Sequence, residues 1–237
     1  MALAGAACRD QTLRDRCNGS CAALGHGRPL LKFIAEVIHL RLVISAFFLI
    51  AGNNCVAGAQ AEEKLTASVQ TTLASAIADR SAQRLIGDPK EVQAWLAEMS
   101  SRLAKRMPDS EQRNEFLVTV QYEASRAGLD PQLVLAVINH ESAFRKYAIS
   151  SASARGFMQV MPFWVKLIGM PAHNLFHLRT NLRYGCVILR HYLDIEKGDV
   201  VRALARYNGS LGRFEYPNTV LGMQESRWKW SPGKPSG

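Results

Sequence analysis

The run Asp130-Pro131-Gln132-Leu133-Val134-Leu135-Ala136-Val137-Ile138-Asn139-His140-Glu141-Ser142 decides the fold class. Asp130 offers an N-cap carboxylate, and Pro131 fits a first helical turn, where a backbone N–H has no partner to lose. Together they predict a helix over Pro131–Ser142. Its stretch Leu133 to Ile138 is apolar nearly all round, which places this helix at the centre of a core. Upstream, Phe116–Ala127 reads as a helix that stops at Gly128, where a left-handed cap favours glycine. Downstream, helices are expected at Phe163–Ile168, Asn181–Ile195 and Val200–Arg206. Strand signals are sparse, and the expected class is mainly α.

Before this core, residues 62–113 carry a more polar helical pattern. Val69, Leu73 and Ile77 recur at i+4, and Val92, Trp95, Leu96 and Met99 mark a second face. Gly87-Asp88-Pro89 between them reads as a stop followed by a new start. Two amphipathic helices follow, either packed on the next domain or acting as a spacer.

Further upstream, Leu42–Gly52 is an uncharged run of eleven residues. A membrane crossing needs about 20, so the run suits the h-region of a secretory signal instead. Arg41 precedes it, and Ala59-Gln60-Ala61 has the small-x-small form of a cleavage site, which places cleavage near Ala61–Glu62. Lipidation at Cys55 is a weaker reading, since Gly52-Asn53-Asn54 is a poor lead-in. Residues 1–39 are long for an n-region, which leaves either an extended leader or a start further downstream. A zinc site from Cys8, Cys17, Cys21 and His26 lacks a common finger spacing. Cleavage near residue 61 would leave Cys186 alone, among Tyr184, Val187, Ile188 and Leu189, as a buried small hydrophobe. The expected organisation is an extension and signal over 1–61, a helical segment over 62–113, a catalytic domain over 114–225 and a tail over 226–237.

The 237 residues are 48% apolar and 21% charged, ordinary globular usage that argues against a mostly disordered chain. Lys and Arg number 29 against 20 Asp and Glu, a formal charge of +9. Such a charge suits nucleic acid, anionic lipid or an acidic cell-wall glycan. Charge alone does not choose among these, and nucleic-acid binding read from charge is a poor candidate because the basic residues are scattered instead of clustered.

Glu141 ends the apolar helix. Helix C-termini disfavour negative charge, and apolar surroundings raise a carboxyl pKa. A glutamic acid protonated near neutrality is what a general acid for glycosidic cleavage requires. The rival reading is a solvated glutamate at a frayed helix end. No Asp or Glu occurs from Ser142 to Leu193, so no second carboxylate lies nearby in sequence. Asp194, Glu196, Asp199, Glu215 and Glu225 remain available through folding.

His140-Glu141-Ser142-Ala143-Phe144, followed by Ser150-Ser151-Ala152-Ser153-Ala154-Arg155-Gly156-Phe157-Met158-Gln159-Val160-Met161-Pro162, closely resembles the signature of the Slt-type (family 1) lytic transglycosylases. These are lysozyme-like enzymes that cleave peptidoglycan. Asn181-Leu182-Arg183-Tyr184-Gly185 and Ala203-Leu204-Ala205-Arg206-Tyr207-Asn208-Gly209 agree in order, and Tyr216-Pro217 and Val220 fit the family's tail. The resemblance covers roughly 116–221. It implies a lysozyme-like helical fold (goose-type, or Slt catalytic domain) with an N-terminal helical extension. By position, Glu141 matches the catalytic acid and base, Ser150 and Gln159 match polar contacts to the muramic sugar, and Met161 matches a cleft-lining residue. Tyr207 matches the tyrosine near the reacting sugar, and Asn208 a supporting residue.

Each also has a structural reading. Ser150 fits an ordinary loop, Gln159 a buried amide serving backbone, Met161 a core residue, and Tyr207-Asn208-Gly209 a helix end. Many relatives read Tyr-Asn-Ala-Gly-Pro-Gly where this chain has Tyr207-Asn208-Gly209-Ser210-Leu211-Gly212, which puts the local cleft shape in question. Among the aromatic residues Phe144, Trp164, Tyr207, Phe214, Tyr216, Trp228 and Trp230, only Tyr207 is expected in the site.

The implied reaction is non-hydrolytic cleavage between N-acetylmuramic acid and N-acetylglucosamine, giving a 1,6-anhydro product. The implied partner is the peptidoglycan glycan strand, outside the inner membrane in the periplasm. No nucleic acid, metal or cofactor is expected; the chain is expected as a monomer, with envelope machinery left open as a further partner. Three other readings compete: a lysozyme-type hydrolase on the same fold, a non-catalytic wall-binding protein, and a metal enzyme using His173, His177, Cys186 and His191. The last lacks a His-Glu-x-x-His pattern.

Overall fold

A computed structural model describes residues 59–79 and 81–232. The expected h-region at 42–52, the Cys8, Cys17, Cys21 and His26 group, and Cys55 lie outside the described residues. Among the described residues the regular structure is helical. The helices are α1 (Ala67–Ala78), α2 (Pro89–Leu103), α3 (Ser110–Arg126), α4 (Pro131–Ser142), α5 (Phe163–Ile168), α6 (Leu178–Ile195), α7 (Val200–Tyr207) and α8 (Glu215–Met223), followed by a π-helical turn over Gln224–Trp228. No helix among the described residues is long and apolar enough to cross a membrane.

Aspartates start four of these eight α-helices. Asp88, Asp109, Asp130 and Asp199 each accept a hydrogen bond from a first-turn N–H, and Pro89 and Pro131 follow two of them. The Asp109 cap explains why α3 begins at Ser110, before the apolar pattern that starts at Phe116. The expected boundary at 113/114 therefore falls inside α3.

Helix α4 is the centre, as its all-round apolar sequence requires. Val134, Leu135, Ala136, Val137 and Ile138 are all fully buried. It is enclosed by α3, α8 and the π-helical turn, while α6 packs against α1, α3 and α7. The two amphipathic N-terminal helices lie on this body, α1 against α5 and α6 and α2 against α3. Trp228, in the expected tail, is buried with its ring 5.4 Å from that of Phe144.

A charged node fastens these layers. Glu123 on α3 is 1% exposed and pairs with Arg126 at 3.3 Å, Arg179 at 3.2 Å and Arg183 at 2.9 Å. Arg126 continues to Asp79 at 2.9 Å and to the Ala76 carbonyl, tying in the end of α1. A buried carboxylate with three guanidinium partners is costly to disturb, because removing it strands their charge.

The α4–α5 connection holds only isolated antiparallel bridges, Ile149 with Arg155 and Arg155 with Val160. Asn181 on α6 fixes it from below. Its Oδ1 accepts from the Met158 N–H at 2.8 Å, and its Nδ2 donates to the Arg155 and Leu175 carbonyls at 2.8 Å each. Gly156 has φ +77°, and a Cβ there would overlap that same Asn181 carboxamide. On α6, Gly185 leaves room for the Met158 side chain. Motif blocks far apart in sequence thus serve one loop.

Candidate active site

Glu141 lies in the last turn of α4, just before the chain reverses. Ala143 caps the helix in the left-handed region with φ 50°, and Phe144 follows at φ 65°. Positive φ costs energy for residues with a Cβ. Gln159 at φ 47° and Ser153 at φ 68° repeat it, so strained backbone gathers along the loop from Glu141 to Met161. The reversal lets Phe144 reach the core, where its ring stands 5.9 Å from that of Phe116.

The glutamate keeps partial exposure, yet protein crowds its carboxyl. Burial pushes the pKa from 4.5 up to about 7, opposed by a hydrogen bond from Tyr216. The Tyr216 hydroxyl donates to Glu141 Oε1 at 2.6 Å. Burial first, and then the neighbouring carboxyl, hold the Tyr216 phenol far above its ordinary pKa, so it stays a donor. His140 packs edge-on against the Tyr216 ring at 4.8 Å, and its own pKa is lowered by burial. Burial and Tyr216 account for the shift at Glu141 without a second acid.

The acids that could have supplied a second catalytic carboxylate are mostly engaged elsewhere. Asp194 pairs with Arg190, Glu196 with Arg202 and Arg206, and Glu225 with Lys229. Asp199 caps α7, and Glu215 is exposed in the first turn of α8.

Tyr207 is buried at the end of α7, with its hydroxyl donating to the Met158 carbonyl at 2.7 Å. The nearby Glu141 carboxyl adds to the burial that keeps its phenol protonated. Gln159 donates from Nε2 to the carbonyls of Gly156 at 2.9 Å and Ala148 at 3.1 Å, so its amide serves backbone. Ser150 closes its own loop, its hydroxyl accepting from the Ala154 N–H at 3.1 Å. Met161 is partly buried against the core. Asn208 is the C-cap residue of α7 and also partly buried.

The aromatic residue in direct contact with Glu141 is thus Tyr216, which sequence reasoning placed only in the family's tail. Its signal was a tyrosine before a proline, 75 positions from the glutamate. Of the other aromatic residues, Phe144, Trp164 and Trp228 are buried in the core, and Phe214 is 62% exposed. Residues 59 and 60 were not expected here at all. The backbone of Ala59 lies where a Cβ on Gly209 would overlap it, so the chain's departure at Tyr207-Asn208-Gly209 has a local occupant.

Among the described residues, no group of three or more His, Cys, Asp or Glu side chains is gathered to hold a metal. His173 Nδ1 shares a 2.8 Å hydrogen bond with the Tyr184 hydroxyl, and Cys186 is buried with its thiol pKa pushed far up.

Comparison with known proteins bears on this arrangement. A family model described as "Transglycosylase SLT domain" matches residues 119–229. A transglycosylase of Enterobacteria phage PRD1 is 35% identical over 110 residues, 44% of this chain and 40% of that protein. Membrane-bound lytic murein transglycosylase C of Yersinia pestis (strain Pestoides F) is 30% identical over 115 residues, 42% of this chain and 32% of the relative. The chain thus spans 40% or less of the length of these curated relatives. A crystal structure of an inactive mutant of lytic transglycosylase Slt from Pseudomonas aeruginosa matches with 20% identity and a TM-score of 0.37, covering 59% of this chain and 32% of that one. The matched span contains Glu141, Tyr207, Tyr216 and the Asn181-held loop, so over residues 119–229 the chain is similar to transglycosylase SLT domains.

Proposed function

We propose that the chain is a peptidoglycan lytic transglycosylase that cleaves the bond between N-acetylmuramic acid and N-acetylglucosamine without water. The carrying observation is Glu141, a single carboxyl raised to about 7 and held by Tyr216 on one oxygen. A group whose pKa lies near neutrality can both give and take a proton.

With Tyr216 on Oε1, Oε2 is the oxygen that faces the reacting sugar. Protonated Glu141 donates to the glycosidic oxygen, and the bond from that oxygen to C1 breaks. The muramic acid's own 2-acetamido oxygen closes on C1 as an oxazolinium, which replaces a protein nucleophile. Ionised Glu141 then removes the proton from the C6 hydroxyl, whose oxygen attacks C1, displaces the acetamido oxygen and gives the 1,6-anhydro ring. Glu141 ends protonated, ready for the next turnover. The engagement of Asp194, Glu196, Asp199 and Glu225 elsewhere supports this one-carboxylate route over a two-carboxylate hydrolysis.

Such a substrate places the enzyme at the periplasmic cell wall, in keeping with the membrane-bound murein transglycosylase among its relatives. The test is mass spectrometry of purified peptidoglycan digested by the chain and by a Glu141→Gln variant. Anhydro-muropeptides from the chain and none from the variant are expected. Reducing-end products, one water heavier, would refute the proposal in favour of a lysozyme-type hydrolase.

A further inference from the structure

Gln60 is 4% exposed although it precedes the first helix. Its side chain lies on the loop that follows Glu141. Gln60 Oε1 accepts from the Met161 N–H at 3.2 Å, and Gln60 Nε2 donates to the Gln159 carbonyl at 3.5 Å. The same side chain reaches the Tyr207 hydroxyl. One glutamine far upstream in sequence thus touches three of the residues expected to line the site.

The chemistry of that contact is specific. A primary carboxamide offers one carbonyl acceptor and an N–H donor. The N-acetyl group of an amino sugar offers the same pair. The loop backbone presents the complementary pair, an N–H at Met161 and a carbonyl at Gln159.

The rest of the segment is anchored on both sides. Ala59 backbone fills the space beside Gly209 that a Cβ would take. Glu63 pairs with Arg206 on α7 at 2.9 Å, and Leu65 packs on the core. These anchors hold Gln60 on the loop that follows Glu141 at high effective concentration.

We propose that Ala59–Gln60 is an autoinhibitory strap, in which the Gln60 carboxamide occupies the place of a substrate acetamido group, so that glycan must displace it to bind. This rests on the glycan-cleaving function proposed above. Cleavage after Ala61 would remove both strap residues while leaving Glu63 and Leu65, so processing of the leader would also open the cleft.

The test is calorimetric binding of chitotetraose, the β-1,4 tetramer of N-acetylglucosamine, to the full chain and its Gln60→Ala variant. A closed strap reduces apparent affinity by the fraction of open molecules, and two hydrogen bonds of ordinary net strength correspond to roughly five- to 150-fold. The variant is expected to bind tighter by that factor. Equal or weaker binding by the variant overturns the strap while leaving the glycan reading in place. Absence of binding to both chains refutes the glycan reading itself, and the strap with it. A second readout uses the unaltered chain, because competition is reciprocal. Saturating chitotetraose is expected to speed hydrogen exchange of the backbone amides over residues 60–65, and unchanged or slowed exchange in a chain that binds the tetramer overturns the strap.

Discussion

Replacing Glu141 by glutamine should make the protein more stable near neutral pH, by an amount that disappears in acid. Burial holds the Glu141 carboxyl at about 7 in the folded chain, against 4.5 in an unfolded one. Between those values the folded state keeps a proton that the unfolded state releases. Stability therefore falls as pH rises from about 4.5 to about 7, and the loss is complete above that. At about 1.4 kcal/mol per pH unit, the interval corresponds to about 3 kcal/mol, an upper figure because the carboxyl keeps some exposure. Glutamine has the same shape, can still accept from the Tyr216 hydroxyl, and does not titrate. The quantity to measure is the difference in unfolding free energy between Glu141→Gln and the parent, from urea denaturation at pH 4 through 8. All other titrating groups cancel in that difference. It should climb by up to about 3 kcal/mol in favour of the variant across the interval. A difference that stays flat would mean that Glu141 ionises at an ordinary pH, and the case for it as a general acid near neutrality would fall.

Tyr216→Phe removes a hydrogen bond that favours ionised Glu141, so the carboxyl should move still higher. A hydrogen bond to a charged group is worth about 1.5–3 kcal/mol, so the alkaline limb of kcat/KM should shift upward by about one to two pH units. Anhydro-muropeptide release measured from pH 5 to 10 would show it, and an unmoved limb would remove Tyr216 from the site. Glu123→Ala leaves Arg179 and Arg183 without their carboxylate beside a buried void, with Arg126 keeping Asp79 as its carboxylate partner, and should destabilise the fold by about 3–5 kcal/mol. Urea denaturation at pH 7 would check it, and a loss below about 1 kcal/mol would mean that the node is relaxed by solvent.

The central helix was legible because its signals are local. Asp130 and Pro131 set its start, and the apolar run set its burial, so Pro131–Ser142 appears with the bounds expected. Helix α8 was not expected, since Pro217 sits inside it. The proline is tolerated because it lies in the first turn, where its absent N–H has no helical partner. Glu141 stood out as a candidate through its place at the end of an apolar helix and through the motif around it. Its partner Tyr216 was not, because a hydrogen bond across 75 residues leaves no periodicity to read. Gln159 shows the same limit from the other side. Its amide is spent on the carbonyls of Ala148 and Gly156, a use that one sequence cannot separate from sugar contact. The Gln60 contact depends on a segment that carries no helical pattern and reads only as part of a cleavage sequence.

The left-handed residues around the site have a consequence for evolving this protein. Ala143, Phe144, Ser153 and Gln159 all carry a Cβ at positive φ, and all fall between Glu141 and Met161. Glycine would relieve the exposed Ala143 and Ser153, whereas at Phe144 and Gln159 it would also delete a core ring and an amide that serves two backbone carbonyls. A library sorted for heat resistance alone would therefore find ready gains at Ala143 and Ser153, in the very loop that follows Glu141, and would drift toward sturdy proteins whose candidate site has loosened. Sorting on wall digestion at raised temperature would hold those positions fixed and push the improvements outward, onto α1, α2 and the surface of α6.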